Sequence, residues 1–123
     1  GHARAWLFDS GRWQRMKYQW TGRYRVSDLT LLPDNDILVL ERRFTWLGGF
    51  ASRIAHVPLA AMVPGATLRG EEIAVIDPPL TTENFEGMAV RRSAAGETLI
   101  YLISDNNFLF IQRTLVMMFA LRD

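Results

Sequence analysis

The sequence predicts an all-β chain, and three observations carry that reading. No segment sustains a helical apolar period. Short apolar runs, alternating or continuous, are punctuated by clusters of Gly, Pro, Asn and Asp. One strand–turn–strand pattern also recurs further along the chain. Counting the runs gives about nine strands and essentially no helix.

Taken in order, Ala3–Phe8 reads as a strand and Asp9-Ser10-Gly11 as a turn. In Trp13–Trp20, alternation places Met16, Tyr18 and Trp20 on one face and Arg15, Lys17 and Gln19 on the other, with Trp13 out of phase. Thr21-Gly22 breaks that strand. Tyr24–Leu32 is the third strand, closed by the turn Pro33-Asp34-Asn35-Asp36. Ile37–Leu40 is continuously apolar, as a strand covered on both faces must be. After Glu41-Arg42-Arg43 comes a loop bearing Phe44, Trp46, Gly48, Gly49 and Phe50, then a strand Arg53–Leu59. Leu59–Val63 has room for one helical turn before Pro64 stops it. Glu71–Ile76 is a strand ended by Asp77-Pro78-Pro79. The stretch from Asn84 to Phe108 then forms a hairpin about the Ser93–Glu97 turn, and Arg113–Leu121 is the last strand.

The repeat sets Ser27–Leu31, Ile37–Leu40 and Arg53–Leu59 against Glu86–Val90, Tyr101–Ser104 and Arg113–Phe119. It aligns Glu41 with Asp105, Phe44 with Phe108 and Arg53 with Arg113. A period of roughly 60 residues suits a four-stranded propeller blade with long loops. The expected architecture is therefore antiparallel four-stranded blades of a β-propeller, about two blades in this chain. Residues 3–22 would end a preceding blade, 24–77 form one blade, and 84–121 form most of the next.

Composition narrows the function classes. The chain has 123 residues, 49% of them hydrophobic, enough for one packed domain. Lys+Arg 14 against Asp+Glu 13 gives a net charge of +1, which argues against an electrostatic nucleic-acid binder. With no cysteine there is no disulfide, thiolate or cysteine-ligated zinc. No apolar run approaches the ~20 residues of a membrane span, and no signal peptide is visible.

Four stretches, Ser27-Asp28-Leu29, Leu38–Phe44, Asn84–Ala89 and Ser104–Phe108 with Gln112–Leu115, resemble the phytase-like propeller family, described as having esterase-like activity of phytase. The resemblance runs across most of the chain from Tyr24 onward. It implies a periplasmic or secreted protein with a whole propeller, of which this chain corresponds to the C-terminal portion. The remaining blades would come from a longer polypeptide or from further copies of this chain.

In such blades the hairpin ends gather at one pole. Ser27, Asp28, Glu41, Arg42, Arg43, Glu86, Asp105, Asn106 and Asn107 would lie there, with the Pro33–Asp36 and Ser93–Glu97 turns at the other pole. Carboxylates suit a hard cation, so Glu86, Asp105, Asp28 and Glu41 are the candidate Ca²⁺ ligands. Arg42, Arg43, Asn106, Asn107 and Arg113 are the candidate ligand-binding residues, because arginine forks match phosphate oxygens. A cation with arginines would polarise a phosphate-ester small molecule for attack by water. No nucleophile is assigned: Ser104 lacks a G-x-S-x-G elbow, and neither His56 nor His2 has a partner at metal spacing. The competing reading pairs these charges with one another as structural ion pairs. A non-catalytic propeller module binding a ligand or protein partner on the same face is the alternative function. Phe44, Trp46 and Phe50 would either wall a ligand site or plug the gap between blades.

Overall fold

The computed structural model describes residues 1–80, 82–106 and 108–122. Its ten strands are β1 (His2–Asp9), β2 (Arg12–Gln19), β3 (Arg25–Leu31), β4 (Ile37–Thr45), β5 (Gly49–Val57), β6 (Thr67–Leu68), β7 (Glu71–Ile76), β8 (Phe85–Arg92), β9 (Thr98–Ser104) and β10 (Val116–Leu121). They form three sheets: sheet I in the order β1-β2-β6, sheet II in the order β3-β4-β5-β7, and sheet III in the order β10-β9-β8. All pairings are antiparallel except β2 with the two-residue β6. The all-β expectation therefore holds. Leu59–Ala61 makes one 3₁₀ turn and no more, as Pro64 dictates.

Sheet II lies between the other two, and β4 shows why. Its Ile37 and Val39 join Met16, Tyr18 and Leu68 of sheet I in one core. Its Leu38 and Leu40 join Phe85, Met88, Ile100 and Leu102 of sheet III in the other. Alternate side chains of a strand point to opposite faces, so the apolar run Ile37–Leu40 feeds two cores at once. Each such side chain contributes about 1.5–3 kcal/mol when fully buried. On β2, Met16 and Tyr18 are buried while Arg15 and Lys17 are exposed, and Trp13 stacks across the hairpin on Phe8 with ring centroids 5.0 Å apart.

Several boundaries move. The aromatic loop after Arg43 is mostly strand: β4 and β5 stay paired as far as Thr45 and Gly49, which leaves a tight hairpin. The last strand starts at Val116, not Arg113. Residues 67–68, expected within the 24–77 blade, pair instead with β2 of sheet I. The repeat is real in its strands but shifts in register. Both first strands carry a bulge, at Ser27 in β3 and at Glu86 in β8, so these two residues are equivalent. Beside the bulges, Val26 faces Glu41 and Phe85 faces Ser104. The structural counterpart of Glu41 is thus Ser104, one residue short of the expected Asp105. Correspondingly, Leu115, whose carbonyl accepts from Ser104 N and whose amide donates to Ser104 Oγ, takes the place of Arg53.

Candidate functional site

The register brings the starts of β3, β5, β8 and β10 and the ends of β4, β7 and β9 to one end of the three-sheet stack. Two short connections between neighbouring sheets fix that end. Ser27 Oγ donates to the Phe85 carbonyl at 2.9 Å, and Met88 N donates to Asp28 Oδ2 at 2.7 Å. Asp28 Oδ1 also accepts from Leu29 N at 2.8 Å. Within sheet III, Gly87 leaves room for its pairing partner: a Cβ there would fall 2.8 Å from Ile103 Cγ2.

On the side of β4 that faces sheet III, Arg42 Nη1 donates to Asn84 Oδ1 and lies 3.4 Å from Glu86 Oε1. Asn84 Nδ2 donates to the same Glu86 oxygen at 2.6 Å. Asn84 is buried, whereas the Arg42 and Glu86 side chains are partly open to solvent. A guanidinium has five donors, so Arg42 keeps several for a bound oxyanion. Nearby, Arg113 Nε donates to Glu83 Oε1 at 2.9 Å, and Ser104 Oγ donates to the Arg113 carbonyl at 2.8 Å. Asn106 Oδ1 accepts from Phe108 N at 3.0 Å, which closes a local turn. Asp105 is exposed at the end of β9. Asn107 lies outside the described residues.

On the opposite side of β4, Glu41 points toward sheet I. It is 0% exposed and accepts from Arg53 Nε at 2.5 Å. Arg53 also donates to Thr21 Oγ1 at 2.5 Å, lies 3.6 Å from Glu72, and stacks over the Tyr24 ring at 4.3 Å. Burial alone would lower the Arg53 pKa, but the hydrogen bond and charge of Glu41, with Glu72, outweigh it and raise the value. The Tyr18 hydroxyl is pushed well above its ordinary range, first by burial and then by the negative charge of Glu41. Arg43 Nε donates to the Tyr24 hydroxyl at 3.1 Å.

The structure thus unites Arg42 with Glu86, sets Asp28 beside them, and places Glu41 in a separate network behind β4. Among the described residues no three His, Asp or Glu side chains are grouped closely enough to hold a metal ion. Sequence reasoning missed Asn84 and Glu83 as partners of the arginines, and it missed Arg53 and Tyr18 around Glu41. The alternation of β4 was the available signal: it puts residues 41 and 42 on opposite faces.

A family model for phytase-like proteins, described as esterase-like activity of phytase, matches residues 1–108. The chain belongs to the Phytase-like family. The match takes in sheets I and II, the β8–β9 hairpin and the Arg42–Asn84–Glu86 cluster of this phytase-like chain. No curated protein and no solved structure matches it.

Proposed function

We propose that this phytase-like chain is part of an exported β-propeller that binds a phosphate ester at the polar end and hydrolyses it with the help of Ca²⁺. The observation that carries the proposal is the half-open Arg42–Asn84–Glu86 cluster at the junction of β3 and β8. Arg42 would bind the phosphoryl oxygens; Arg113 is already held by Glu83, and Arg43 lies on the other side of β4. Glu41 is left out, because Arg53 already neutralises it inside the stack. No three carboxylates are grouped there among the described residues, and both Asp28 oxygens already accept backbone amides, so Ca²⁺ would rest on Glu86, with the ester and waters supplying most of its ~6–8 ligands. When bound, the cation would supply charge stabilisation at the phosphoryl group. Asn84 orients both Arg42 and Glu86, so it is a positioning residue.

A second reading is favoured by the pairing itself. Asp28, Glu83 and Glu86 each already have a partner, which suits a non-catalytic module that binds an anionic ligand or a protein. Calorimetric titration with Ca²⁺, alongside turnover of a phosphate monoester, separates the two. Calcium binding with turnover supports hydrolysis; anion binding without turnover supports the module.

The propeller reading also concerns assembly. The outer face of sheet III exposes Ile103, Val116 and Met118, and that of sheet I exposes Trp6, Phe8 and Trp13. Further blades, from a longer polypeptide or from copies of this chain, would cover these faces. Light scattering on the purified chain should therefore show association; a folded monomer at micromolar concentration would count against it.

A further inference from the structure

Sheet I stops short of sheet II. On the face of sheet II turned toward sheet I, Val26, Leu29 and Leu31 of β3 pair with Glu41, Val39 and Ile37 of β4. Sheet I covers Ile37 and Val39, whereas Val26, Leu29 and Leu31 are 37%, 58% and 54% exposed. The cover ends at β1, which pairs with β2 on one edge and, among the described residues, with nothing on the other. An apolar groove of about 210 Å³ follows that free edge, walled by Ala3 and Ala5 of β1 and by Val26 and Leu29 of β3. Unpaired N–H and C=O groups beside an apolar groove are a template for one more strand. The outward face of the β1–β2 hairpin adds a charge. There Arg4 faces Lys17 and Trp6 faces Arg15, whose guanidinium lies 5.2 Å from the Trp6 ring. A cleft of about 260 Å³ opens among these side chains. Arg4, Arg15 and Lys17 form no ion pair among the described residues. Asp9, the hairpin's single acid, falls on the opposite face, across from Arg12.

We infer that the free edge of β1 takes an extended polypeptide segment in which large apolar residues alternate with Asp or Glu. Successive side chains of an added strand point to opposite faces. The inward set fills the groove beside Ala3 and Ala5 and covers Val26, Leu29 and Leu31. The outward set stands beside Arg4, where a carboxylate makes a favourable cross-strand pair and a cation an unfavourable one. The edge calls for a backbone that can pair, which a polypeptide supplies and a nucleic acid or a lipid does not. No described strand of this chain alternates carboxylates with large apolar residues, so a second copy does not supply the segment. The inference rests on the reading that further blades complete the stack, and it names the chemistry of the strand that lies next to β1. It requires neither hydrolysis nor Ca²⁺.

Two end-blocked peptides test it, each matching the 8 residues of β1, one alternating Ile with Glu and the other Ile with Lys. In hydrogen exchange followed by NMR, the Glu peptide should protect the edge amides of β1. Its affinity should exceed that of the Lys peptide by about fivefold or more. Salt should narrow the gap. Arg4→Glu should reverse the preference, and Leu29→Ser should weaken both peptides by removing apolar surface from the groove. Both side chains are exposed, so thermal unfolding of these variants should match that of the parent chain. Protection of β1 by neither peptide overturns the inference, as does equal binding of the two or an unreversed preference in Arg4→Glu. Self-association of the peptide-free chain that Leu29→Ser abolishes would make a second copy the occupant, and overturns it equally. A peptide-free chain that scatters light as a monomer and still binds the Glu peptide would defeat assembly from copies while supporting the inference.

Discussion

Sheets II and III build their first two strands alike and finish them differently. Each first strand has a one-residue bulge at the polar end, at Ser27 and at Glu86, and each second strand turns a polar residue inward beside it. In sheet II that residue is Glu41, a buried carboxylate held by Arg53. In sheet III it is Ser104, a buried hydroxyl that donates to the Arg113 carbonyl and accepts from Leu115 N at 2.9 Å. The geometry is shared, but one sheet closes with charge and the other with neutral hydrogen bonds. The bulge residues reverse the pattern: Ser27 is tied to the neighbouring backbone, and Glu86 reaches the half-open cluster. Charge is buried structurally in sheet II and offered to solvent in sheet III.

The sharpest way to break the comparison is to remove one partner of the charged closure. Arg53→Leu leaves Glu41 buried and unpaired, which should destabilise by about 3–5 kcal/mol. The double variant Glu41→Leu/Arg53→Leu should recover most of that, since an apolar pair needs no compensation. Urea unfolding of the three proteins measures both; a single variant no worse than the double would mean that the pair is effectively solvated.

Sheet III should respond less. Gly87→Ala drives a Cβ into Ile103 and should cost about 1–3 kcal/mol, as overpacking does. Ser104→Ala removes a neutral donor and acceptor and should cost about 1–2 kcal/mol. Denaturant midpoints rank these two against Arg53→Leu. Equality of Ser104→Ala with Arg53→Leu would erase the distinction between charged and neutral closure.

Glu86→Gln should leave stability nearly unchanged, because its side chain is partly solvated and its amide can still accept from Asn84. If Ca²⁺ binds at the half-open cluster, the same variant weakens the affinity seen by calorimetry through the lost charge. Unaltered calcium affinity would reduce Glu86 to a surface ion-pair partner of Arg42.

Much of this was legible in the chain. Ile37–Leu40 announced a strand between two cores, because only double-sided cover tolerates four apolar residues in a row. The turns at Pro33–Asp36 and Ser93–Glu97 set which residues share an end. Two things were not legible. The first strands of the repeat align correctly, Ser27 with Glu86, but the β8–β9 hairpin pairs two residues further toward its turn than β3–β4 does, so the second strands align one residue out and Asp105 is matched to Glu41 in place of Ser104. The division of Glu41-Arg42-Arg43 between two seams, by contrast, follows from strand alternation alone. Partners brought in from elsewhere, Arg53 to Glu41 and Asn84 to Arg42, depend on the packing of sheets and leave no local trace.

The smallest expected effect lies at the opposite end, where the two hairpin turns also differ. In sheet III the turn closes on itself: Ser93 Oγ accepts from Glu97 N at 3.1 Å. In sheet II the turn residue Asp36 reaches out of its hairpin, accepting from Leu59 N at 2.8 Å and meeting His56 Nε2 at 2.8 Å. The Leu59 amide first, and His56 second, hold the Asp36 carboxyl below its ordinary value. A lowered folded-state pKa means that the unfolded chain binds the proton more readily. The resulting stabilisation is complete above the ordinary carboxylate pKa of about 3.9 and is lost as pH falls through the lower folded value. Asp36→Asn should therefore flatten part of the acid limb of a stability–pH curve. Thermal unfolding across that range compares Asp36→Asn with the parent chain, and an identical acid limb would show that the β3–β4 turn is as self-contained as its counterpart.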